Sequence, residues 1–159
     1  MTERTATVVV ASTRCAAGER EDRTGPLIVA WLSERGFTVT GPVVVADGPD
    51  VGAAIRAGIG RADALILTTG GTGLTPTDRT PEQTRPELDR EIPGLADAIR
   101  RAGLPAVPTA VLSRGLAGVA GGSLVVNLPG SVGGVRDGLG VLDGILTHAL
   151  DQIRGGDHA

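Results

Sequence analysis

Residues 64–82 read ALILTTGGTGLTPTDRTPE, from Ala64 to Glu82. An apolar run ends at Thr68 and breaks into TTGGTG, with three glycines and three threonines in six residues. The run has the length and composition of a strand buried on both faces. Adjacent Gly70 and Gly71 let the backbone bend and gather N–H groups toward an anion. Thr69 and Thr72 add hydroxyls beside Gly73. A tight Gly-rich connection accounts for the same residues, so local chemistry leaves both readings open. The segment is no Walker A loop, which needs a Lys that this chain lacks, and it does not have the spacing of a dinucleotide fingerprint.

On either side of this strand the chain alternates between β-like and helical patterns. Thr5–Ala11 reads as a short buried strand, 12–23 as a polar loop, and 26–36 as a helix entered at Pro26 and ended at Gly36. A second strand spans 37–45 with a Gly41–Pro42 interruption, and a short helix spans 50–59. Thr80-Pro81-Glu82-Gln83 has the form of a capping box with Thr80 as N-cap. A compact helix covers 95–102, and 107–112 is apolar but ambiguous between helix and strand. Ser123–Leu128 is a late strand, followed by one helical tail through Ile153 with Val135, Leu139, Leu142, Ile145, Leu146 and Leu150 at helical spacing. This order implies an α/β fold, a three-layer αβα sandwich around a mostly parallel sheet. Residues 1–155 read as one domain and 156–159 as a short flexible tail. Ligands of such sheets gather at the carboxyl ends of the strands.

The 159 residues suffice for a sizeable core. With one Trp and one Phe as the only aromatics, that core is built from Val, Leu, Ile and Ala. The formal charge of -3 and the scattered arginines argue against nucleic acid as a partner. No apolar run is long enough for a bilayer and no secretory segment opens the chain, so no membrane and a cytoplasmic location are expected. Cys15 is the single cysteine, and neither His148 nor His158 belongs to a catalytic or zinc pattern.

Two carboxylates stand near predicted strand ends. Asp78 suits Mg²⁺ held against phosphate, or orientation of an attacking phosphate oxygen; a solvent-facing loop aspartate is the alternative. Asp47 reads first as a helix N-terminal residue and second as a metal or catalytic carboxylate. Ser12 and Arg14 follow the first strand at the same edge. Ser113 and Arg114 offer a hydroxyl and a guanidinium suited to phosphate or a planar polar ring, though Arg114 reads first as a surface arginine. Pro129, Gly130 and Ser131 form another strand-to-helix junction, where Ser131 caps the terminal helix or leaves N–H groups for an anion.

At these residues the chain resembles the MogA/MoaB family of molybdenum cofactor biosynthesis proteins. The resemblance is carried by Ser12, Arg14, Gly18, Asp22 and Gly25, by Asp47, and by TTGGTG followed by Asp78, Thr80, Pro81 and Glu82. It continues through Ser113-Arg114-Gly115 and Asn127-Leu-Pro-Gly-Ser131, covering almost the whole chain. It implies a three-layer α/β fold, a homotrimer, and transfer of AMP from Mg²⁺-ATP to the terminal phosphate of molybdopterin, with handover to other proteins of cofactor biosynthesis. Carried over, Asp47 and Asp78 are catalytic or metal-associated, and Gly70, Gly71 and Gly73 hold phosphate or nucleotide. Ser113 positions the pterin, with Pro129, Gly130 and Ser131 as another wall. Family members often continue the last turn with Pro-Lys, where this chain has Val132-Gly133-Gly134; Arg114 or Arg136 is the candidate replacement. The alternative reading is a noncatalytic or weakly active molybdopterin-binding homologue.

Overall fold

Valines and leucines of alternating direction set the architecture. Val8, Leu65, Leu67, Leu124 and Val126 are fully buried on one face of a sheet, and Val9, Ile66 and Val125 on the other. Strands apolar at every position are those of a parallel sheet covered on both sides. The computed structural model describes residues 3–156; residues 157–159, which make up most of the expected tail and include His158, lie outside the described residues.

The strands are β1 (Thr5–Ala11), β2 (Thr38–Val45), β3 (Leu65–Thr69), β4 (Arg90–Glu91), β5 (Ala117–Ala120) and β6 (Ser123–Leu128). They lie in the order β2-β1-β3-β6-β5-β4. The first four of that order are parallel neighbours, while β5 runs antiparallel to β6 and β4 antiparallel to β5. The Gly41–Pro42 interruption is a bulge: Thr7 pairs with Thr40 and Val9 with Val43, so β2 carries one extra residue.

Helices cover both faces. α2 (Gly25–Glu34), α5 (Pro93–Ala102), α6 (Val132–Asp143) and α7 (Leu146–Ile153) pack Ile28, Leu32, Leu95, Ile99, Leu139 and Leu150 into the larger cluster. α3 (Pro49–Gly60) packs Val51 and Ile55 into the smaller one on the opposite face. Short helices α1 (Thr13–Ala16) and α4 (Thr80–Thr84) follow β1 and the glycine loop. The structure is thus the expected αβα sandwich, with a mixed and mostly parallel sheet. None of its described helices is long and apolar enough to cross a membrane.

Four local readings change. Ala117–Ala120 pairs with Ser123–Leu128 as a hairpin across Gly121 and Gly122, Gly121 taking φ +58° as such a tight turn requires. The helical tail is two helices separated at Gly144 and Ile145, which turns Ile145 out to 36% exposure although it keeps the apolar spacing. The ambiguous 107–112 segment is a 3-10 helix, Pro108–Leu112. Thr80 is not the N-cap of α4; Arg79 occupies that place without a side-chain cap, and the Thr80 hydroxyl is spent elsewhere.

Parallel β1, β2, β3 and β6 end together at Ala11, Val45, Thr69 and Leu128. The segments that follow them, 12–24 with the short helix α1, 46–48, 70–79 and 129–131, therefore meet at one edge.

Candidate functional site

Each glycine of TTGGTG has a separate reason. A Cβ on Gly70 (φ +90°) would strike the Ala11 carbonyl oxygen, and the Gly70 N–H donates to Leu128 O at 3.2 Å. Gly70 is thus a close-packing residue whose donor is already used. A Cβ on Gly71 (φ +66°) would lie 2.5 Å from Asp47 Oδ1 and also against Thr80 Oγ1. One on Gly73 would lie 2.7 Å from Asp78 Oδ2. The missing side chains make room for two carboxylates. The Thr80 hydroxyl donates to Gly70 O at 2.9 Å and the Thr80 N–H to Gly71 O at 3.0 Å, which fastens α4 to the loop.

Asp47 leaves β2 two residues before α3, whose cap position is Gly48 and carries no side-chain cap bond. It therefore does not serve as the helix-capping residue. Its N–H donates to Thr13 Oγ1 at 3.2 Å, while its Oδ1 is buried without a hydrogen-bond partner. Burial first, and the neighbouring charge of Asp78 second, push the Asp47 carboxyl above its ordinary pKa. Asp78 is held by its own turn: its N–H donates to Thr75 O at 3.0 Å, and its Oδ2 accepts from Thr75 N at 3.3 Å.

Two adjoining hollows share this edge. A cleft of about 820 Å³ is walled by Ser12, Arg14, Asp47, Thr69, Gly70, Gly71, Asp78, Gly130 and Ser131. A more apolar hollow of about 310 Å³ takes Thr72, Gly73, Ser113, Pro129 and Ser131. The glycine loop is the partition, and Ser131 borders both. Thr69 stands in the cleft wall but is fully buried, its hydroxyl donating to Pro129 O at 2.7 Å. Ser131 caps α6, accepting from Gly134 N at 3.1 Å, and Ser12 caps α1, accepting from Cys15 N at 3.2 Å. Arg20 and Thr24 also line the larger cleft, and Ile99, Val107 and Leu112 the smaller hollow; the sequence reading did not single them out. Arg20 sits in a loop that reads as solvated charge, and 107–112 carried no decisive periodicity.

Arg114 borders neither hollow. Its Nε donates to Gly73 O at 2.9 Å, its Nη2 to Asp78 O at 2.9 Å, and its Nη1 to Glu82 Oε2 at 2.7 Å. The hydrogen-bonding guanidinium fork of Arg114 holds the Glu82 carboxyl below its ordinary pKa. Behind the loop, buried Asn127 donates to Thr68 Oγ1 at 2.9 Å and Thr84 Oγ1 at 3.0 Å, and accepts from Leu116 N at 3.0 Å. Its role was not visible in the sequence beyond the motif that contains it.

The arrangement defines an α/β ligand-binding domain with its site at the strand carboxyl ends, a glycine loop between two hollows and two carboxylates in the larger. A family model described as a probable molybdopterin binding domain matches residues 7–148. The "Molybdenum cofactor biosynthesis bifunctional protein" of Synechococcus elongatus is 44% identical, over 96% of this chain and 48% of that protein. The "Molybdopterin adenylyltransferase" of Pyrococcus furiosus is 36% identical, over 92% of this chain and 89% of the relative. The structure of the molybdopterin biosynthesis Mog protein from Mycobacterium ulcerans superimposes with TM-score 0.92 at 60% identity, covering 94% of this chain and 99% of that one. The chain belongs to the MogA/MoaB family of molybdopterin-binding proteins. It spans about half the length of the bifunctional relatives it matches.

Proposed function

We propose that this chain is a molybdopterin adenylyltransferase, moving AMP from Mg²⁺-ATP to the terminal phosphate of molybdopterin. The observation that carries the reading is the unpartnered, buried Asp47 Oδ1, set against Gly71 and close enough to the Asp78 charge for the two carboxylates to influence each other. A buried anionic oxygen without a partner is costly, and a cation brought with the substrate relieves that cost.

The residues fit Mg²⁺. Among the described residues no group of three or more His, Cys, Asp or Glu is gathered for a metal. Mg²⁺ characteristically takes one or two carboxylates and completes its shell with water and phosphate oxygens. Asp47 and Asp78 are the residues that would hold it, and when bound it supplies charge neutralisation on the nucleotide phosphates.

The chain's own contribution is alignment and placement of charge. Arg14 and Arg20 line the same cleft and face the developing negative charge of a triphosphate. The 310 Å³ hollow beside it, bordered by Ser113, Thr72 and Pro129, suits a flat ring system. With the two substrates side by side, a molybdopterin phosphate oxygen attacks the α-phosphorus of ATP. The new P–O bond forms as the α–β bridging bond breaks, and diphosphate carries away the electron pair. No side-chain nucleophile is needed. A homotrimer, a cytoplasmic setting and handover to other proteins of cofactor biosynthesis belong to the same reading.

The replacement of Pro-Lys by Val132-Gly133-Gly134 favours a second reading, a binding homologue with little turnover. Incubating the purified chain with molybdopterin and Mg²⁺-ATP separates them. Adenylated molybdopterin with equimolar diphosphate supports transfer; tight binding without product supports the second reading, and neither from folded protein refutes both.

A further inference from the structure

Arg114 is the best-connected side chain at the site, yet it faces no ligand space. All three of its guanidinium nitrogens are engaged, by Gly73 O, Asp78 O and both oxygens of Glu82, with bonds between 2.7 and 3.2 Å. Its backbone N–H also donates to Thr72 O at 2.8 Å. The residue before it, Ser113, borders the apolar hollow, and the loop it grips carries Asp78 into the larger cleft. Glu82 lies in α4, the helix whose Thr80 holds the carbonyls of Gly70 and Gly71. Both ends of the glycine loop therefore run back to one ion pair.

We propose that Arg114 and Glu82 form a positioning pair that clamps the Gly73–Asp78 loop and thereby presents the Asp78 carboxylate opposite Asp47. The inference rests on the transfer reading only for its consequence at the metal; the clamp itself is a property of this chain. A planar fork spans two carbonyls and a carboxylate at once, whereas an ammonium group is a point charge that cannot. Lysine at 114 would keep the attraction to Glu82 and lose the loop. Arg35, at the C-cap of α2, provides an internal contrast, for it makes a comparable bidentate pair with Asp143 of α6 at 2.7 and 2.8 Å and grips no loop of the site.

The test compares Arg114→Lys, Glu82→Gln and Arg35→Lys in the full chain. Amide hydrogen exchange is read at Thr75 and Asp78, with β1 and β3 amides as reference, and Mn²⁺ affinity is read by electron paramagnetic resonance without nucleotide. Arg114→Lys is expected to speed exchange at the two loop amides at least tenfold and to weaken Mn²⁺ binding at least fivefold. Glu82→Gln moves both in the same direction by about threefold, and Arg35→Lys moves neither. Unchanged loop exchange in Arg114→Lys, or equal acceleration in Arg35→Lys, overturns the inference. If Arg114→Lys does not fold, Glu82→Gln decides, and wild-type loop exchange in it is the refuting result. If the wild-type chain binds no Mn²⁺ without nucleotide, the exchange data alone decide the clamp.

Discussion

Replacing Asn127 by alanine removes the buried amide that joins the glycine loop to its support. Asn127 is 3% exposed, and its two donors and one acceptor reach Thr68 on β3, Thr84 on α4 and the Leu116 N–H leading into β5. Thr84 and Thr68 are fully buried, so the substitution takes a donor from each hydroxyl and leaves the Leu116 amide unpaired away from water. Each lost bond with a buried partner left behind costs about 1–1.5 kcal/mol, or roughly 3–4 kcal/mol together. For a chain of this size that is roughly a 10 °C fall in Tm. The loss also reaches the site, because Thr84 Oγ1 donates to Thr80 O at 2.7 Å and Thr80 holds Gly70 O. Thermal unfolding followed by circular dichroism measures the first effect, and AMP transfer below the new Tm the second. A Tm within 2 °C of wild type would refute the view that this amide organises the loop.

Two further perturbations separate stability from chemistry. Asp47→Asn is expected to raise the Tm of the ligand-free chain above the raised Asp47 pKa while removing transfer, since it takes away the charge of a carboxyl whose Oδ1 is buried without a partner. Folding raises the Asp47 pKa, so its ionised form destabilises the folded chain above that raised value, and the penalty lifts as pH falls through it. The gain from Asp47→Asn should therefore be full above that raised value and fade as pH falls through it; Tm against pH checks this. Gly71→Ala places a Cβ 2.5 Å from Asp47 Oδ1 at φ +66° and should lower stability by about 1–3 kcal/mol, with transfer falling more than tenfold. Denaturant titration and initial rates give the two numbers.

The sheet was legible because β1, β3 and β6 each carry a short apolar run, Val8–Ala11, Leu65–Leu67 and Leu124–Val126, that ends at a small polar residue. β5 was not, since Ala117-Gly118-Val119-Ala120 has little strand propensity and is held by pairing with β6. The Gly121–Gly122 pair between two apolar runs was the available signal. At the site, TTGGTG and Asp78 announced themselves by composition, but the purpose of the glycines did not. Only three dimensions show Gly71 and Gly73 yielding space to carboxylates that lie 24 and five residues away in the sequence. The same holds for Arg114, which reads first as a surface arginine and second as a ligand-binding cation, and whose fork is turned onto Gly73, Asp78 and Glu82. Local pattern reports what a residue offers, and tertiary structure decides which partner takes it.

Asp47 and Asp78 are proposed to act together in adenylyl transfer. The most direct measurement follows label from α-³²P-ATP into molybdopterin under Mg²⁺ for wild type and for the Asp47→Asn/Asp78→Asn double variant, each shown to be folded. Labelled molybdopterin from the wild type and at least hundredfold slower labelling by the double variant is the expected result. Undiminished labelling by the double variant would show that transfer does not need the two carboxylates.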